Sequence, residues 1–543
     1  MSKVAHYLQE HLLGEVTSSP EVRRHFAHDA SILRMAPAIV AYPRNENDVR
    51  KTARFAWQLA QRGKPISITA RGGGSDTSGA AIGNGIMLVF TAHMSKILAL
   101  DPAKAFIVVE PGATYDKIEQ TLYTHGLFLP PYPASQHYAT IGGGLANNAI
   151  GEKSVKYGPT SAYVEQLRVV LANGEIIETS PLSKRELNRK LGLSSLEGEI
   201  YRRLDALIEE NEELIKGTKE RLRMAHNRVG YNVFDVKGSA GFDLTPLIVG
   251  SQGTLGIITE AILEIVPHNP KAKTALISLN SLDDLNEAIP KIMELKPSIL
   301  DMVNKTAIVQ VARVSPNQLV GAISEPKAAI HLFVEFDDIK EGTTSKSMKR
   351  LGKSLGKTTS SIKVASSPEE QEAIWKLRQS VGTILTQPYG QSKAVPVAED
   401  VSVPTGKLAE FLHEAEAIYG SNGLAAAAWG HAGIGVVRMQ PILDLGNLGD
   451  RQKLFRLSES MYESAIRMGG SLSGAAGDGR IRAPYMGWQY EPRLHSVMLQ
   501  IKKIFDPMQI LNPGVKTASL DDIKTLMRGD YNLGHHHQHL PRS

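Results

Sequence analysis

Cysteine is missing altogether from the 543 residues of this chain. Disulfides, thiolate metal sites, cysteine nucleophiles and iron–sulfur clusters held by cysteine are therefore excluded. A chain of this length also exceeds the size that one hydrophobic core supports, so we expect two or more domains. If the protein moves electrons, the carrier in this chain must be a group other than an iron–sulfur cluster.

Long apolar runs are absent as well, because no stretch approaches the roughly 20 residues that a membrane helix needs. The opening segment MSKVAHYLQEHLLGEV predicts an amphipathic helix rather than a signal peptide, since it lacks an uninterrupted apolar core. We therefore expect a cytoplasmic protein without a transmembrane segment. The basic stretch 345–360 is typical of a solvated helix face, with contact at a membrane surface as the alternative.

An excess of one charge is lacking too. The chain has 61 Lys and Arg residues against 56 Asp and Glu residues, which gives a net charge of +5. This charge is spread along the chain and forms no concentrated basic stripe of the kind that nucleic-acid-binding proteins carry. We therefore expect no nucleic-acid partner.

What is present is an alternation of strands and helices from about residue 36 onward. AIVAYP predicts a strand, ENDVRKTARFAWQLAQRG an amphipathic helix, and ANGE a hairpin turn between two further strands. A charged stretch at 184–222 predicts surface helices. The alternation restarts after VPHNPKAKT, which indicates a second domain near residue 270.

Three glycine-rich stretches stand out, at 70–83, 137–151 and 249–263. Glycines let backbone amides converge on an anion, so the first stretch, ARGGGSDTSGAAIG, predicts a phosphate cradle, although such turns also simply connect strands. Three such loops suit a long ligand with a diphosphate at its middle. Neither a Rossmann G-x-G-x-x-G after a strand nor a P-loop glycine before GKS or GKT is found.

These stretches carry a resemblance to a known family. RGGGSDTSG, PGATYDKIEQTL, PPYPASQHYATIGGGLANNAIG, KYGPT, GSQGTLGIITEAILEIVP and FDPMQILNPG resemble the FAD-binding domain of the vanillyl-alcohol-oxidase superfamily. The second half resembles the FAD-linked oxidase cap of the D-2-hydroxyacid dehydrogenases, which include D-lactate, glycolate and D-2-hydroxyglutarate dehydrogenases. The matches keep their order from about residue 35 to residue 516.

The resemblance implies an α+β fold: an FAD-binding domain of two subdomains and an α+β cap built on an antiparallel sheet. The expected segments are an N-terminal helical segment, the FAD-binding domain, the C-terminal cap, a segment returning to the FAD site and a flexible tail, at 1–34, 35–269, 270–500, 501–520 and 521–543. The residues implied to bind FAD are Arg71, Gly72, Gly73, Gly74, Ser75, Asp76, Ser78, Gly79, Pro133, Ser135, Thr140, Gly142, Gly143, Ala146, Asn147, Gly253, Ile258 and Asn512. Some relatives attach FAD through a histidine at the position of Ser75, so the serine predicts a noncovalent flavin.

The resemblance also implies an altered catalytic apparatus. Relatives bind a metal and hold a histidine base with the patterns G-H-x-G-D-G-N-x-H and G-E-H-G. The first pattern is GHAGIGVVR here, which keeps only His431 and places Arg438 at the second histidine. The second is SGAAGDGR, with Ala475 at the metal glutamate and Ala476 at the base. One histidine is too few for a specific metal site, so we expect no metal and a hydrogen-bonded His431.

Other candidate catalytic residues remain. By the resemblance, Arg378 and Lys393 bind the substrate carboxylate, and both side-chain types suit that task, although a surface salt bridge is the alternative for each. We expect the fixed charge of Arg438 to replace part of the missing metal, without a neutralising partner. Tyr132, His137 and Asp478 are possible replacement bases, and no spacing selects among them.

The expected function is FAD-dependent oxidation of a small carboxylate-bearing substrate by hydride transfer to the flavin N5. The alternatives are a catalytically silent FAD-binding protein or subunit, and a binding protein without flavin. The electron acceptor stays open between oxygen, a quinone and a separate redox protein.

Overall fold

The computed structural model describes residues 3–238, 241–323, 327–340, 342–356, 359–387, 392–396 and 399–529. Three main β-sheets organise these residues. Two sheets lie in the N-terminal part of the chain, up to about residue 269, and the third forms the core of the cap.

The first sheet has four strands, and its centre is parallel. Its order is β1-β2-β4-β3, with β2, β4 and β3 parallel and β1 antiparallel to β2. The strands are β1 Glu15–Thr17, β2 Ile39–Tyr42, β3 Ile68–Arg71 and β4 Ile86–Val89, and the helices beside them are α1 Lys3–His11, α2 Pro20–His25 and α3 Glu46–Gln61. We expected a separate helical segment at 1–34, but β1 makes these residues part of the first sheet.

The second sheet has five antiparallel strands in the order β5-β6-β12-β8-β9. The strands from here to the cap are β5 Ile97–Asp101, β6 Phe106–Val109, β7 Leu127–Phe128, β8 Val164–Val170, β9 Ile176–Thr179, β10 Lys237–Gly238, β11 Gly241–Phe242, β12 Ile257–Glu264 and β13 Val266–Pro267. The helices are α4 Tyr115–Tyr123, α5 Ile141–Asn147, α6 Ser154–Tyr157, α7 Lys184–Leu191, α8 Leu196–Glu210, α9 Glu212–Arg221 and α10 Thr245–Ile248. The predicted hairpin and the predicted helices within 184–222 are present.

The cap is built on an eight-stranded antiparallel sheet. Its strands are β14 Lys273–Leu279, β15 Ile299–Asn304, β16 Ile330–Phe336, β17 Ser361–Val364, β18 Lys393–Ala394, β19 Val401–Ser402, β20 Ala426–His431 and β21 Val436–Leu443. Its helices are α11 Leu285–Met293, α12 Lys305–Val314, α13 Thr343–Leu355, α14 Pro368–Leu385, α15 Leu408–Ser421, α16 Leu448–Arg467 and α17 Met486–Gln489. The α+β architecture that the resemblance implies is therefore confirmed.

The C-terminal segment returns to the first sheet. After α18 Pro492–Phe505, the Ile68 N–H at the start of β3 donates to the Ile510 carbonyl at 2.7 Å. We expected a flexible tail from residue 521, but the structure has α19 Leu520–Leu526 there, begun by a capping box at Ser519. Met527 then forms a β-bridge with Leu33, so residues 521–529 are part of the fold. The rest of the expected tail, 530–543, lies outside the described residues.

Candidate active site

One long cavity lies between the N-terminal sheets and the cap, and we call it the main cavity. Its walls come from the loop after β3, residues 133–150, the turn before β12, α14, β21 and the loop 470–480. The predicted site residues that line it are Arg71, Gly72, Gly73, Gly74, Ser75, Asp76, Pro133, Ser135, Thr140, Gly142, Gly143, Ala146, Asn147, Gly253, Ile258, Arg378 and Arg438. Residues far apart in sequence are thus brought to one site.

The loop after β3 needs its glycines for steric reasons. A Cβ on Gly72 would lie 2.1 Å from Thr140 Oγ1, and one on Gly73 would lie 2.1 Å from the Tyr138 carbonyl oxygen. Gly74 has φ +73° and a Cβ there would lie 2.1 Å from Arg71 Nη2. The backbone of this glycine loop (residues 72–74) is therefore held against its neighbours with no space for side chains.

Arg71 and Asp76 both form hydrogen bonds with the backbone that follows the glycine loop. Arg71 is buried and its Nη1 donates to the Ala81 carbonyl at 2.9 Å, while its Nε has no hydrogen-bond partner among the described residues. The Asp76 carboxylate accepts hydrogen bonds from the backbone N–H groups of Ser78 and Ala80, at 3.0 and 2.8 Å. A buried cation with an unused donor beside a glycine cradle suits an anionic group such as a diphosphate.

Three residues predicted to line the cofactor, Ser78, Gly79 and Asn512, do not line the main cavity. The Ser78 hydroxyl donates to Asp76, and a Cβ on Gly79 would meet the Leu33 side chain at 2.8 Å. The amide of Asn512 donates to the carbonyls of Ala80 and Gln252, at 2.8 and 2.9 Å. Ser78 and Asn512 therefore hold the loop after β3 through hydrogen bonds.

The residues present therefore fit FAD. The glycine loop, Arg71 and the start of α5 would hold the diphosphate, and Gly253 and Ile258 would lie along another part of the cofactor. Thr140 Oγ1 accepts a hydrogen bond from the Gly143 N–H at 3.3 Å and caps α5, which keeps the second glycine-rich stretch against the cavity.

At the cap end, Arg378 is not an isolated cation. It lies on α14 with its Nη2 2.6 Å from Asp301 Oδ2, and both side chains are almost fully buried. His431 Nδ1 lies 2.8 Å from the other oxygen of Asp301. Asp301 on β15 thus joins the two predicted residues, and His431 does not line the main cavity as a catalytic residue would.

Arg438 lines the cavity but has the neutralising partners that we did not expect. Its Nη2 lies 3.4 Å from Asp400 Oδ1 and its Nη1 lies 3.9 Å from Glu399 Oε2. The cause is strand pairing, because β19, which follows the two acidic residues, pairs with β21 just before Arg438. Two carboxyl groups therefore partly neutralise the positive charge of Arg438.

Lys393 does not line the main cavity. It lies on β18 opposite Leu443, at the far end of β21 from Arg438. Of the three cations expected to act on the substrate, Arg378 and Arg438 therefore line the main cavity and Lys393 does not.

The loop 470–480 presents Ala475 and Ala476 to the cavity. Ala475 packs with Ile150, Ile434 and Val436 in a small apolar cluster. The position at which the resemblance implies a metal-binding glutamate is thus an alanine with apolar neighbours. Among the residues that the structure describes, no group of three His, Cys, Asp or Glu side chains could hold a metal ion.

None of the three proposed replacement bases lines the main cavity. Asp478 is fully buried and accepts hydrogen bonds from Lys516 Nζ at 2.9 Å and the Gly230 N–H at 2.8 Å. His137 is exposed and lies 3.0 Å from Asp116. Burial raises the pKa of Tyr132 well above its usual value, which keeps the phenol protonated.

Several polar residues of the cavity were missed from the sequence. They are Thr77, Tyr138, Gln252, Gln379, Thr383, Glu399 and Gln440. One signal could have found Gln440, because residues two apart on a strand share a face and Gln440 follows Arg438 by two on β21. The others lie on loops or on a helix, where spacing alone does not show which residues face a cavity.

Comparison with known proteins agrees with this geometry. Residues 37–180 match the family described as FAD binding domain, and residues 268–515 match FAD linked oxidases, C-terminal domain. D-2-hydroxyglutarate dehydrogenase of Escherichia coli (strain K12) is 29% identical over 523 residues, which are 93% of this chain and 50% of that protein. D-lactate dehydrogenase of Archaeoglobus fulgidus is 27% identical over 477 residues, covering 88% of this chain and 90% of that protein.

A solved structure, 4-ethylphenol oxidase from Gulosibacter chungangensis, superposes with a TM-score of 0.69 at 15% identity, covering 96% of this chain and 98% of that one. At that identity the likeness shows the fold alone. The chain spans about half the length of the D-2-hydroxyglutarate dehydrogenases that it matches. No helix within the described residues is both long and apolar enough to cross a membrane. Both domain models are thus matched in order around one cavity. The chain is a flavoprotein in which an FAD binding domain is followed by the C-terminal domain of FAD linked oxidases, and it shares the fold of 4-ethylphenol oxidase.

Proposed function

We propose that this chain is an FAD-dependent oxidoreductase that oxidises a small hydroxy acid without a metal ion. The observation that carries the proposal is the continuity of the main cavity from the glycine loop to Arg378 and Arg438. When bound, FAD supplies the hydride acceptor, the flavin N5. The names of the two relatives, a D-2-hydroxyglutarate and a D-lactate dehydrogenase, support this class of substrate.

Arg438 is the residue that we assign to the substrate carboxylate. It faces the cavity, and its guanidinium can offer two parallel N–H groups to a carboxylate. Its side chain is 27% exposed, whereas that of Arg378 is 2% exposed and held by Asp301. Arg378 therefore contributes positive charge to the cavity wall rather than a direct contact with the substrate carboxylate.

We infer that the cap end also limits water at the reacting carbon. Trp429, Ala475 and Arg378 line the cavity there and are buried. In such a site each charge acts more strongly than in water. A metal is not needed to hold the hydroxy acid if Arg438 binds its carboxylate.

The test is an anaerobic titration of the FAD-loaded protein with D-lactate, D-2-hydroxyglutarate and glycolate. Loss of the visible flavin absorbance with one of them supports the proposal. Firmly bound FAD that none of these acids reduces favours the second candidate, a catalytically silent flavoprotein. Two observations favour this second candidate: the apolar cluster at Ala475 and the hydrogen-bond contact between His431 and Asp301.

The proposed flavin is noncovalent. Ser75 lines the main cavity, and its hydroxyl has no means of forming the bond that a histidine forms in some relatives. Acid precipitation should release all of the flavin into the supernatant. Flavin that stays with the precipitated protein would contradict this attachment.

A further inference from the structure

Two carboxyl groups line the main cavity among the residues that the structure describes, those of Asp76 and Glu399. Asp76 belongs to the loop after β3 and both of its oxygens accept hydrogen bonds from that loop. Glu399 lies at the cap end, where its Oε2 is 3.9 Å from Arg438 Nη1. It is therefore the cavity-lining carboxyl group beside the residue that we assign to the substrate carboxylate.

The two oxygens of Glu399 have different surroundings. Oε1 accepts a hydrogen bond from the Gln440 side-chain amide. Oε2 is buried, has no hydrogen-bond partner among the described residues, and lies 3.9 Å from Arg438 Nη1. A buried carboxylate oxygen without a donor is costly to maintain, and because Glu399 lines the main cavity, the hydroxyl group of a bound ligand can supply the missing donor.

Three other acidic groups lie at this end, those of Asp301, Asp400 and Glu152, and none of them lines the main cavity. Asp301 is paired with Arg378 and His431. Asp400 Oδ2 accepts the Ala476 N–H at 2.8 Å, and its Oδ1, also without a hydrogen-bond partner among the described residues, lies 3.4 Å from Arg438 Nη2. Tyr138 does line the main cavity, but burial raises the pKa of its phenol, so this residue is a hydrogen-bond donor rather than a base.

We propose that Glu399 is the general base of the oxidation, taking the place of the histidine that relatives carry at the position of Ala476. The proposal rests on the proposed function. The hydroxyl proton of the substrate passes to Glu399 Oε2 as its O–H bond breaks. The electron pair of the C–H bond leaves as hydride to the flavin, the carbonyl forms, and Glu399 then loses its proton to solvent.

The pairing with Arg438 makes this base responsive to the substrate. The charged groups around Glu399 are Arg438 on β21, Asp400 next to it in the chain, and Arg482, whose Nη1 donates to the Glu399 carbonyl at 3.2 Å. Burial raises the pKa of Glu399, Arg438 lowers it and Asp400 raises it. A substrate carboxylate on Arg438 weakens the lowering effect, so substrate binding strengthens the proton affinity of Glu399.

The experiment compares the wild-type protein with Glu399→Gln and Glu399→Asp, all loaded with FAD. The substrate is the hydroxy acid that reduces the wild type fastest. The rate constant of flavin reduction should fall by about 100-fold or more in Glu399→Gln and by less in Glu399→Asp. In the wild type this rate constant should rise with pH, and the midpoint of the rise should lie above the pKa of an ordinary carboxyl group. This rising limb of the pH–rate profile should be missing in Glu399→Gln.

A second measurement separates catalysis from structure. Oxalate has no C–H bond to oxidise, and its binding is followed by the change in flavin absorbance. Removing the negative charge of Glu399 leaves Arg438 less neutralised, so oxalate should bind more tightly to Glu399→Gln although reduction is slower. A merely structural role for Glu399 would weaken both.

Glu152→Gln is the matched control. Glu152 is also a buried glutamate with a raised pKa, but it does not line the main cavity. Its variant should keep the pH limb. If a hydroxy acid reduces the wild type and Glu399→Gln keeps both the rate constant and the rising limb of the pH–rate profile, the assignment of Glu399 as the base is wrong. The proposed function then still stands. If no hydroxy acid reduces the wild type, both proposals are wrong.

Discussion

At the glycine-loop end of the main cavity the shape is set by the backbone, whereas at the cap end it is set by buried ion pairs. Gly72 and Gly73 touch Thr140 and Tyr138 so closely that any side chain is excluded. At the other end, Arg378 is neutralised by Asp301, and Arg438 is flanked by two acidic residues. A cofactor cradle made of backbone does not depend on the side chains at the substrate end, so those side chains can differ while the cradle is kept.

The largest effect is expected from filling the glycine cradle. In Gly73→Ala the new Cβ would lie 2.1 Å from the Tyr138 carbonyl, so the loop must move away from its position. The flavin content of the purified protein should fall by about tenfold or more, because the loop and Arg71 hold the diphosphate. Gly217→Ala is the control, since a Cβ on Gly217 meets nothing within 4 Å. Equal flavin content in the two variants would show that the glycine-loop end of the main cavity does not depend on this close backbone packing.

The next effect tests the cap end. Arg438→Met removes the guanidinium that we assign to the substrate carboxylate. A charge-assisted hydrogen bond contributes about 1.5–3 kcal/mol, so oxalate affinity should fall by about 10- to 100-fold while FAD stays bound. Arg467→Met is the control, because Arg467 is an exposed partner of Glu414 and does not line the cavity. Unchanged oxalate binding in Arg438→Met would show that the carboxylate is bound elsewhere.

A smaller effect sharpens the difference between the ends, because the glycine-loop end also contains a titrating group. Burial and the neighbouring Asp76 together raise the pKa of Asp29 to about 6, against the opposing effects of Ser31 and Arg71. A bound diphosphate adds negative charge nearby, so Asp29 holds its proton more tightly in the complex. FAD affinity should therefore fall as the pH rises through about 6, by no more than about tenfold per pH unit for one linked proton.

This pH dependence is measured by equilibrium titration of the FAD-free protein with FAD from pH 5 to pH 8. Asp29→Asn cannot titrate and should give a flatter curve across the same range. A curve as steep as that of the wild type would assign the proton to another group.

The smallest effect concerns Lys393, the residue that the resemblance placed at the substrate. Because it lies on β18 and does not line the main cavity, Lys393→Met should change oxalate affinity less than about twofold. A loss comparable to that of Arg438→Met would mean that the cavity closes around the ligand in a way that brings β18 closer.

The sequence predicted the glycine-loop end better than the cap end for a physical reason. A glycine is required wherever a Cβ would collide, so the pattern at 70–83 carries the shape of the loop itself. The partners of Arg378 and Arg438 depend on which strands become neighbours. Asp301 on β15 meets Arg378 because α14 packs on the same sheet, and it meets His431 because β15 lies beside β20, neither of which a local pattern records.

The fold followed the same rule. Strands and helices with a clear period, such as α3 and the β8–β9 hairpin, were predicted from the sequence. The order of strands in the sheets was not, and the docking of α19 beside Leu33 was missed because its short charged sequence shows no strong apolar face. Its stability comes from tertiary contacts that form only when the two chain segments meet.

The return of Asn512 to the loop after β3 sets an order of events during biosynthesis. Asn512 lies more than four hundred residues after Thr69, whose hydroxyl donates to it at 3.1 Å. While the ribosome is still making the cap, the first sheet lacks this support for its phosphate loop. We therefore expect the flavin site to be completed only after the C-terminal domain has been translated, which would make cofactor capture a late step.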